Sequence, residues 1–307
     1  MTGSGVIAEK IKVYFGFSRM SHSVLDVGHP AVAALLSLGA WPHYPTLILG
    51  LIAAFSGYTA VFALNDLLDF KVDTERIEQA RRDFTAFDLD VLGVRHPIAQ
   101  KVLTFGQGLA WVLCWGIISL VTAFMLHPLC FLMLLSAIGL EIAYCALLRV
   151  SHWKTVLSGL MVGTGALAGV FAVAGWQSRA SLLLLIFLWS FCWEVGARNI
   201  PNDWTDLEED THLGIRTLPV RYGRTPTARV SFCLIVLTVL VSFLLPLPAH
   251  CSNPAFYEAG AAAAGVFLMI APALRWLLDG SVNSAIALFN RACFYPVAML
   301  GVTIISI

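Results

Sequence analysis

An all-α polytopic membrane protein is the fold class this sequence predicts, with nine transmembrane helices in one bundle and a parallel internal repeat relating helices 1–4 to helices 5–8. Three observations lead there. Of the 307 residues, 58% are hydrophobic and only 12% charged, too few charges to cover a soluble domain of this size. The apolar residues come in long runs without period-two alternation, which suits membrane helices and excludes barrel strands. Lysine and arginine gather at alternate connections between those runs, as the cytoplasmic side of a membrane requires.

A helix needs roughly 20 mostly apolar residues to cross a hydrocarbon core about 30 Å thick. Such runs lie at about 24–41, 45–64, 103–125, 128–147, 155–175, 180–199, 228–248, 255–276 and 283–306. The N-terminal tail carries Lys10, Lys12 and Arg19. The connection after the second run carries Lys71, Arg76, Arg81, Arg82, Arg95 and Lys101, and that after the fourth carries Arg149 and Lys154. The end of the sixth run and its connection add Arg198, Arg216, Arg221, Arg224 and Arg229, and Arg275 follows the eighth, whereas the opposite side has only Arg179. This bias predicts a cytoplasmic N-terminus, an external C-terminus and residence in a cell inner membrane. The segment up to Ser23 lacks the basic start, apolar core and cleavage site of a removable signal peptide. Residues 1–307 read as a single domain. A formal net charge of zero, with no long basic run, gives no support to a nucleic-acid partner, and no obligate protein partner is evident. Seven cysteines without a CxxC pair read as reduced core residues.

Two connections, about 65–102 and 200–227, are long and open with acids at the end of an apolar run. The first opens Asn65-Asp66-Leu67-Leu68-Asp69-Phe70-Lys71-Val72-Asp73 and the second Asn202-Asp203-Trp204-Thr205-Asp206-Leu207-Glu208-Glu209-Asp210, both N-D-x-x-D-x-x-x-D. On a continuing helix, positions i, i+4 and i+8 drift by only about 40° per step, so Asn65, Asp69 and Asp73 share a face, as do Asn202, Asp206 and Asp210. Like charges on one face repel. A face that keeps them holds cations, and hard oxygen donors without Cys or His select Mg²⁺, which bridges carboxylates to substrate phosphates. The clusters end the second and sixth runs, an offset of four helices, so both reach the same side and can clamp a diphosphate between them.

On these motifs the chain resembles the UbiA superfamily of intramembrane prenyltransferases, and the likeness extends to Gly214-Ile215-Arg216-Thr217-Leu218-Pro219-Val220-Arg221-Tyr222-Gly223, similar to the family's G-x-x-T-L-P-x-x-x-G segment. The resemblance implies a Mg²⁺-dependent transferase that passes the prenyl group of a prenyl diphosphate to a small-molecule acceptor within membrane lipid. The acceptor would be an aromatic ring, as in quinone biosynthesis, or a polar lipid precursor. It implies Asn65, Asp69 and Asp73 as ligands of one Mg²⁺ and Asn202, Asp206 and Asp210 as ligands of another. Asp66, Asp203, Tyr144 and Arg149 are expected to take part in the chemistry, and Arg19, Arg95, Arg149, Lys154, Arg198 and Arg216 to bind the diphosphate. Tyr144, Leu148 and Arg149 look like a family pattern at the end of the fourth helix, with Leu148 departing from its lysine.

Each supporting residue also has a structural reading. Arg149 and Arg19 serve equally as topological anchors, and His96, within a partial match at Arg95–Gln100, reads more simply as a loop histidine. Glu141, Glu194 and Arg291 fall inside apolar runs, where an ionisable group faces a cavity or a partner. The spacing of Glu194, Arg198 and Asn202 aims the first two at the second acidic cluster, or else they form a structural pair. Asp26 and His29 receive no role. Arg19, His22 and Arg95 would suit an anionic acceptor. Two other functions remain open on sequence: a family-like terpene cyclase that folds the cation onto its own double bonds, and a non-catalytic transporter or lipid-binding protein.

Overall fold

In a computed structural model the chain is described over residues 3–79 and 93–307, so the predicted basic positions Arg81 and Arg82 lie outside the described residues. Every regular element among the described residues is helical. After α1 (Gly3–Phe17), the predicted first span is two shorter helices, α2 (Met20–Asp26) and α3 (Gly28–Leu38). Pro30 offers no N–H to the carbonyl of Asp26, and the helix breaks at Val27. The other predicted spans are continuous stretches long and apolar enough to cross a membrane, eight among the described residues. They are α4 (Tyr44–Leu68), α6 (Phe105–Leu126), α7 (Pro128–Ala146), α8 (Lys154–Ala174), α9 (Ala180–Trp193) with its continuation, α13 (Arg224–Leu244), α14 (Pro254–Gly265) with α15 (Ala271–Asp279), and α16 (Val282–Cys293) with α17 (Tyr295–Ser306).

The two long connections are themselves mostly helical where described: α5 (Phe70–Gln79) follows α4, and α10 (Ile200–Thr205), α11 (Leu207–His212) and α12 (Leu218–Tyr222) follow α9. Two π-helical turns, Glu194–Asn199 and Val266–Ile270, stand directly before Pro201 and Pro272. Ile200 N–H bonds back five residues to Val195 O, and Ala271 N–H to Val266 O, a register that absorbs the missing proline donor without ending the span. Such turns often mark functional sites, and the first of these carries Glu194 and Arg198.

α4 packs on α6, α7 on α8, and α8 on both α3 and α9. One buried core centres on Trp189, Trp193, Trp276 and Tyr295. Two of its indoles are satisfied internally, Trp193 Nε1 donating to Ala292 O at 3.0 Å and Trp189 Nε1 to the Tyr295 hydroxyl at 3.3 Å. A second core of Phe17, Ala63, Leu67, Ile98, Leu103 and Val112 sits beneath the segment 93–104 at the end of α4. That segment is held down by a close crossing at Gly16, where a Cβ would come within 2.3 Å of Val94 O. On α6, Leu109, Leu113, Ile117, Val121 and Phe124 recur every three or four residues as an exposed apolar stripe, a surface for acyl chains.

Candidate active site

The two acidic motifs have the same local backbone. α4 ends at Leu68 and α5 starts at Phe70, with Asp69 between them at φ −88°, ψ 3°; α10 ends at Thr205 and α11 starts at Leu207, with Asp206 at φ −94°, ψ 7°. Helical pairing runs through each break. Asp69 N–H bonds Asn65 O and Asp73 N–H bonds Asp69 O, both at 2.9 Å, while Asp206 N–H bonds Asn202 O at 3.3 Å and Asp210 N–H bonds Asp206 O at 2.8 Å. The axis bends, but the i, i+4, i+8 register survives, so both sets of Asn and Asp side chains line one polar cavity of about 140 Å³.

Around them the chain supplies partners from other helices. Asn65 Nδ2 donates to Glu141 Oε1 at 2.8 Å, which leaves the amide oxygen of Asn65 as its unused donor atom toward a cation. Lys154, at the start of α8, sits 3.1 Å from Asp203 Oδ1 and donates to the Tyr144 hydroxyl at 3.1 Å. Arg76, three residues beyond Asp73, crosses to the second motif, with ion pairs to Glu209 at 2.7 Å and Asp210 at 3.2 Å. His96 Nδ1 lies 2.7 Å from Asp66 Oδ1 and 2.9 Å from Asp73 Oδ2, and its Nε2 accepts from Arg95 Nε at 3.0 Å. That acceptor role assigns the ring proton to Nδ1, where it joins two carboxylates that otherwise repel.

Most of the predicted site residues converge here. Arg19, Tyr144, Lys154 and Arg198 line the cavity, as do Leu148 and Asp203. Asp66 is buried behind it under His96. Three predicted phosphate cations are not among the lining residues. Arg149 pairs with Glu75 at the surface, because Leu148 and not Arg149 faces inward from the end of α7. Arg216 is turned away by its own backbone, whose N–H bonds Leu148 O at 2.9 Å, and its guanidinium donates to Val150 O at 3.1 Å. Arg95 reaches the cavity only through His96. Arg291 is exposed on α16. Sequence reading passed over Arg76 and discounted His96. The i+3 spacing of Arg76 from Asp73 was a usable signal, whereas nothing local announces that the loop at 93–104 folds back onto Asp66.

The donor set fits Mg²⁺. It consists of hard carboxylate and amide oxygens, and on the cavity wall Asp203 Oδ2 is buried with no hydrogen-bond partner among the described residues. Electrostatics agree. Burial, then the neighbouring Asp73 carboxylate, pushes the Asp69 carboxyl up to about 6, and burial with the Asp203 and Asp206 carboxylates pushes Asp210 up to about 8. Raised carboxyls mean that the metal-free folded chain holds protons an unfolded chain has released, so its stability falls as pH rises through this window. A cation needs the carboxylates, so its binding expels those protons. The expected result is an apparent Mg²⁺ affinity that climbs between about pH 6 and pH 8 and then levels off, with proton release seen by calorimetry in buffers of different ionisation heat. An affinity flat across that range contradicts it.

A second cavity, apolar and about 370 Å³, shares Val61, Phe62, Met161, Glu194 and Arg198 with the first. Along α4 its wall runs from Phe62 to Thr46, about 24 Å at 1.5 Å per residue, toward the far ends of the helices near Trp41 and Leu126. A polar chamber at one membrane side thus adjoins an apolar channel through the bundle.

Residues 29–294 match the UbiA prenyltransferase family. Digeranylgeranylglyceryl phosphate synthase of Thermococcus kodakarensis is 24% identical over 238 residues, 76% of this chain and 78% of that protein. Protoheme IX farnesyltransferase of Xylella fastidiosa Temecula1 is 25% identical over 83% of this chain and 82% of its own length. Among solved structures, a UbiA homologue from Aeropyrum pernix in its apo form aligns with a TM-score of 0.75 at 18% identity, covering 93% of this chain and 98% of that one. A UbiA homologue from Archaeoglobus fulgidus bound to DMAPP and Mg²⁺ aligns at 0.64 and 19% identity, covering 95% and 99%.

Proposed function

The chain belongs to the UbiA prenyltransferase family and is an integral membrane prenyltransferase, and from that premise we propose that it ionises a prenyl diphosphate between its two acidic motifs and passes the prenyl group to a lipophilic acceptor. The observation that carries this reading is the junction of a carboxylate-lined chamber with an apolar channel. Asn65, Asp69 and Asp73 on one side, and Asn202, Asp206 and Asp210 on the other, would hold Mg²⁺. Bound there, the metal supplies charge that neutralises the departing diphosphate.

The chain's own groups do the rest. Lys154 and Arg19 place fixed positive charge in the chamber, and the Tyr144 hydroxyl, already engaged by Lys154, orients that ammonium. Phe62, Val61 and Met161 form the shared wall where the reacting end of the prenyl chain meets the apolar channel, and they keep water from it. The chamber faces the side on which the basic residues gather, which supports a reaction at the cytoplasmic face of a cell inner membrane.

Chain length should be read out by the channel. Gly50 lines it twelve residues from Phe62, about 18 Å away along α4, and a Cβ there meets nothing within 4 Å. Gly50→Phe is expected to lower kcat/KM for geranylgeranyl diphosphate at least about tenfold and leave geranyl diphosphate nearly unchanged. Equal losses for both would place the prenyl chain elsewhere.

The activity itself is tested with purified protein in nanodiscs, radiolabelled geranylgeranyl diphosphate, and a panel of phenols and lipid alcohols, with Mg²⁺ or with chelator. Acceptor-dependent, chelator-sensitive product supports the transferase. Hydrocarbon or alcohol formed without acceptor would assign a cyclase instead, and intact diphosphate across prenyl lengths would overturn both.

A further inference from the structure

Where the two cavities meet, the chain buries a polar cluster that departure of the diphosphate leaves unused. Arg198 Nη1 donates to Asp26 Oδ2 at 2.6 Å, and Ser158 Oγ donates to Glu194 Oε1 at 2.5 Å. Aromatic faces hold the guanidinium in place, with its carbon 5.4 Å from the Phe62 ring centre and 5.5 Å from that of Trp193. Asp26 is 1% exposed and Glu194 6%. Even so, Asp26 Oδ1, Glu194 Oε2 and the Tyr58 hydroxyl have no hydrogen-bond partner among the described residues. Glu194 Oε2 is 3.7 Å from Arg198 Nη1, beyond hydrogen-bonding reach.

Asp26, Tyr58, Glu194 and Arg198 all line the apolar channel, and Glu194 and Arg198 also line the polar chamber. Leaving buried carboxylate oxygens unpaired is costly, and native structures satisfy such groups. A carboxyl accepts when ionised and donates when protonated, and a phenol does both, so the partner that suits all three orphan groups is a hydroxyl, which can donate and accept. The surrounding walls are apolar, so the molecule that carries the hydroxyl is lipophilic. Two carboxylates at this point oppose an anionic group, contrary to the expectation that Arg19, His22 and Arg95 favour an anionic acceptor.

We propose that Asp26, Glu194 and Tyr58 form the binding site for the hydroxyl of a neutral lipophilic acceptor, a phenol or a long-chain alcohol, held between the diphosphate chamber and the apolar channel. The assignment of this molecule as the acceptor rests on the transferase reading; the hydroxyl site stands on its own geometry. Arg198 anchors Asp26, and the π-turn at Glu194–Asn199 carries both Glu194 and Arg198 to the junction.

The test is binding to the full chain in nanodiscs of three matched probes: para-nonylphenol, its methyl ether para-nonylanisole, and para-nonylbenzoate. The phenol is expected to bind at least about tenfold tighter than the ether and tighter still than the benzoate, since a hydrogen bond to a charged partner is lost or a charge opposed. Glu194→Met, which keeps the side-chain volume without the oxygens, should erase the phenol's advantage, and Tyr58→Phe should reduce it. Tyr58→Phe and the wild-type comparison decide the matter even where Glu194→Met fails to fold. Equal binding of phenol and ether, tighter benzoate, or no binding of any probe would overturn the site and leave the cluster as a structural one satisfied by buried water. Binding of geranyl thiodiphosphate with Mn²⁺ is followed in the same preparation, and its absence beside a phenol preference would sink the transferase reading while the hydroxyl site survived.

Discussion

Replacing Asp69 or Asp206 with alanine is expected to lower kcat/KM for prenyl transfer by at least about 10³-fold, because several kcal/mol of charge stabilisation at the departing diphosphate goes with the carboxylate. Stability should move the other way. Burial and the Asp73 carboxylate hold the Asp69 carboxyl up at about 6, so this group is strained in the metal-free fold and its removal relieves repulsion. Asp69→Ala should therefore melt no lower than wild type in the presence of chelator at about pH 8, while Mg²⁺ is expected to raise the Tm of the wild type and not that of the variant. Function and stability pull apart at such sites. A variant that melts lower without metal and transfers at near-normal rate would show that Asp69 is a structural helix-end residue.

Lys154→Met is expected to be the most destabilising single change in the chamber. Lys154 and Asp203 have side chains 3% and 7% exposed, and 3.1 Å separates their charged atoms. Removing one partner of a buried pair leaves the other uncompensated, at a cost of about 3–5 kcal/mol. The double variant Lys154→Met with Asp203→Leu should recover most of that stability by replacing the pair with apolar volume, and it should recover none of the turnover. Thermal melts and initial rates on the same preparations separate the two effects. Activity that returned with stability would mean that the pair serves only to hold α8 against α10.

Much of this was legible from periodicity and spacing. The long apolar runs had to be helices, since lipid offers backbone groups no other partner, and eight of them stand as continuous spans among the described residues. The matched N-D-x-x-D-x-x-x-D motifs converge because their spacing keeps one helical face even through the breaks at Asp69 and Asp206. What sequence could not show depends on distant contacts or on backbone detail. Pro30 splits the first span, whereas the π-turn ahead of Pro272 keeps its span intact, although both positions read alike as proline within an apolar run. His96 became part of the site only because the segment at 93–104 packs down at Gly16. Asp26, given no role by its neighbours in sequence, is the partner of Arg198 across 172 residues. Arg149 and Arg216 carried the right charge near the right place, yet Arg149 faces the surface because Leu148 takes the inward position, and Arg216 is held on the Val150 carbonyl.

On the proposed function, each acidic motif would hold its own cation, on opposite flanks of one diphosphate. Electron paramagnetic resonance of the purified chain with Mn²⁺ and geranyl thiodiphosphate, which cannot ionise readily, tests it without turnover. Two bound Mn²⁺ per chain with mutual dipolar broadening are expected, falling to one in Asp69→Ala and to one in Asp206→Ala. A single site in the wild type, or two sites that survive either substitution, would contradict the account.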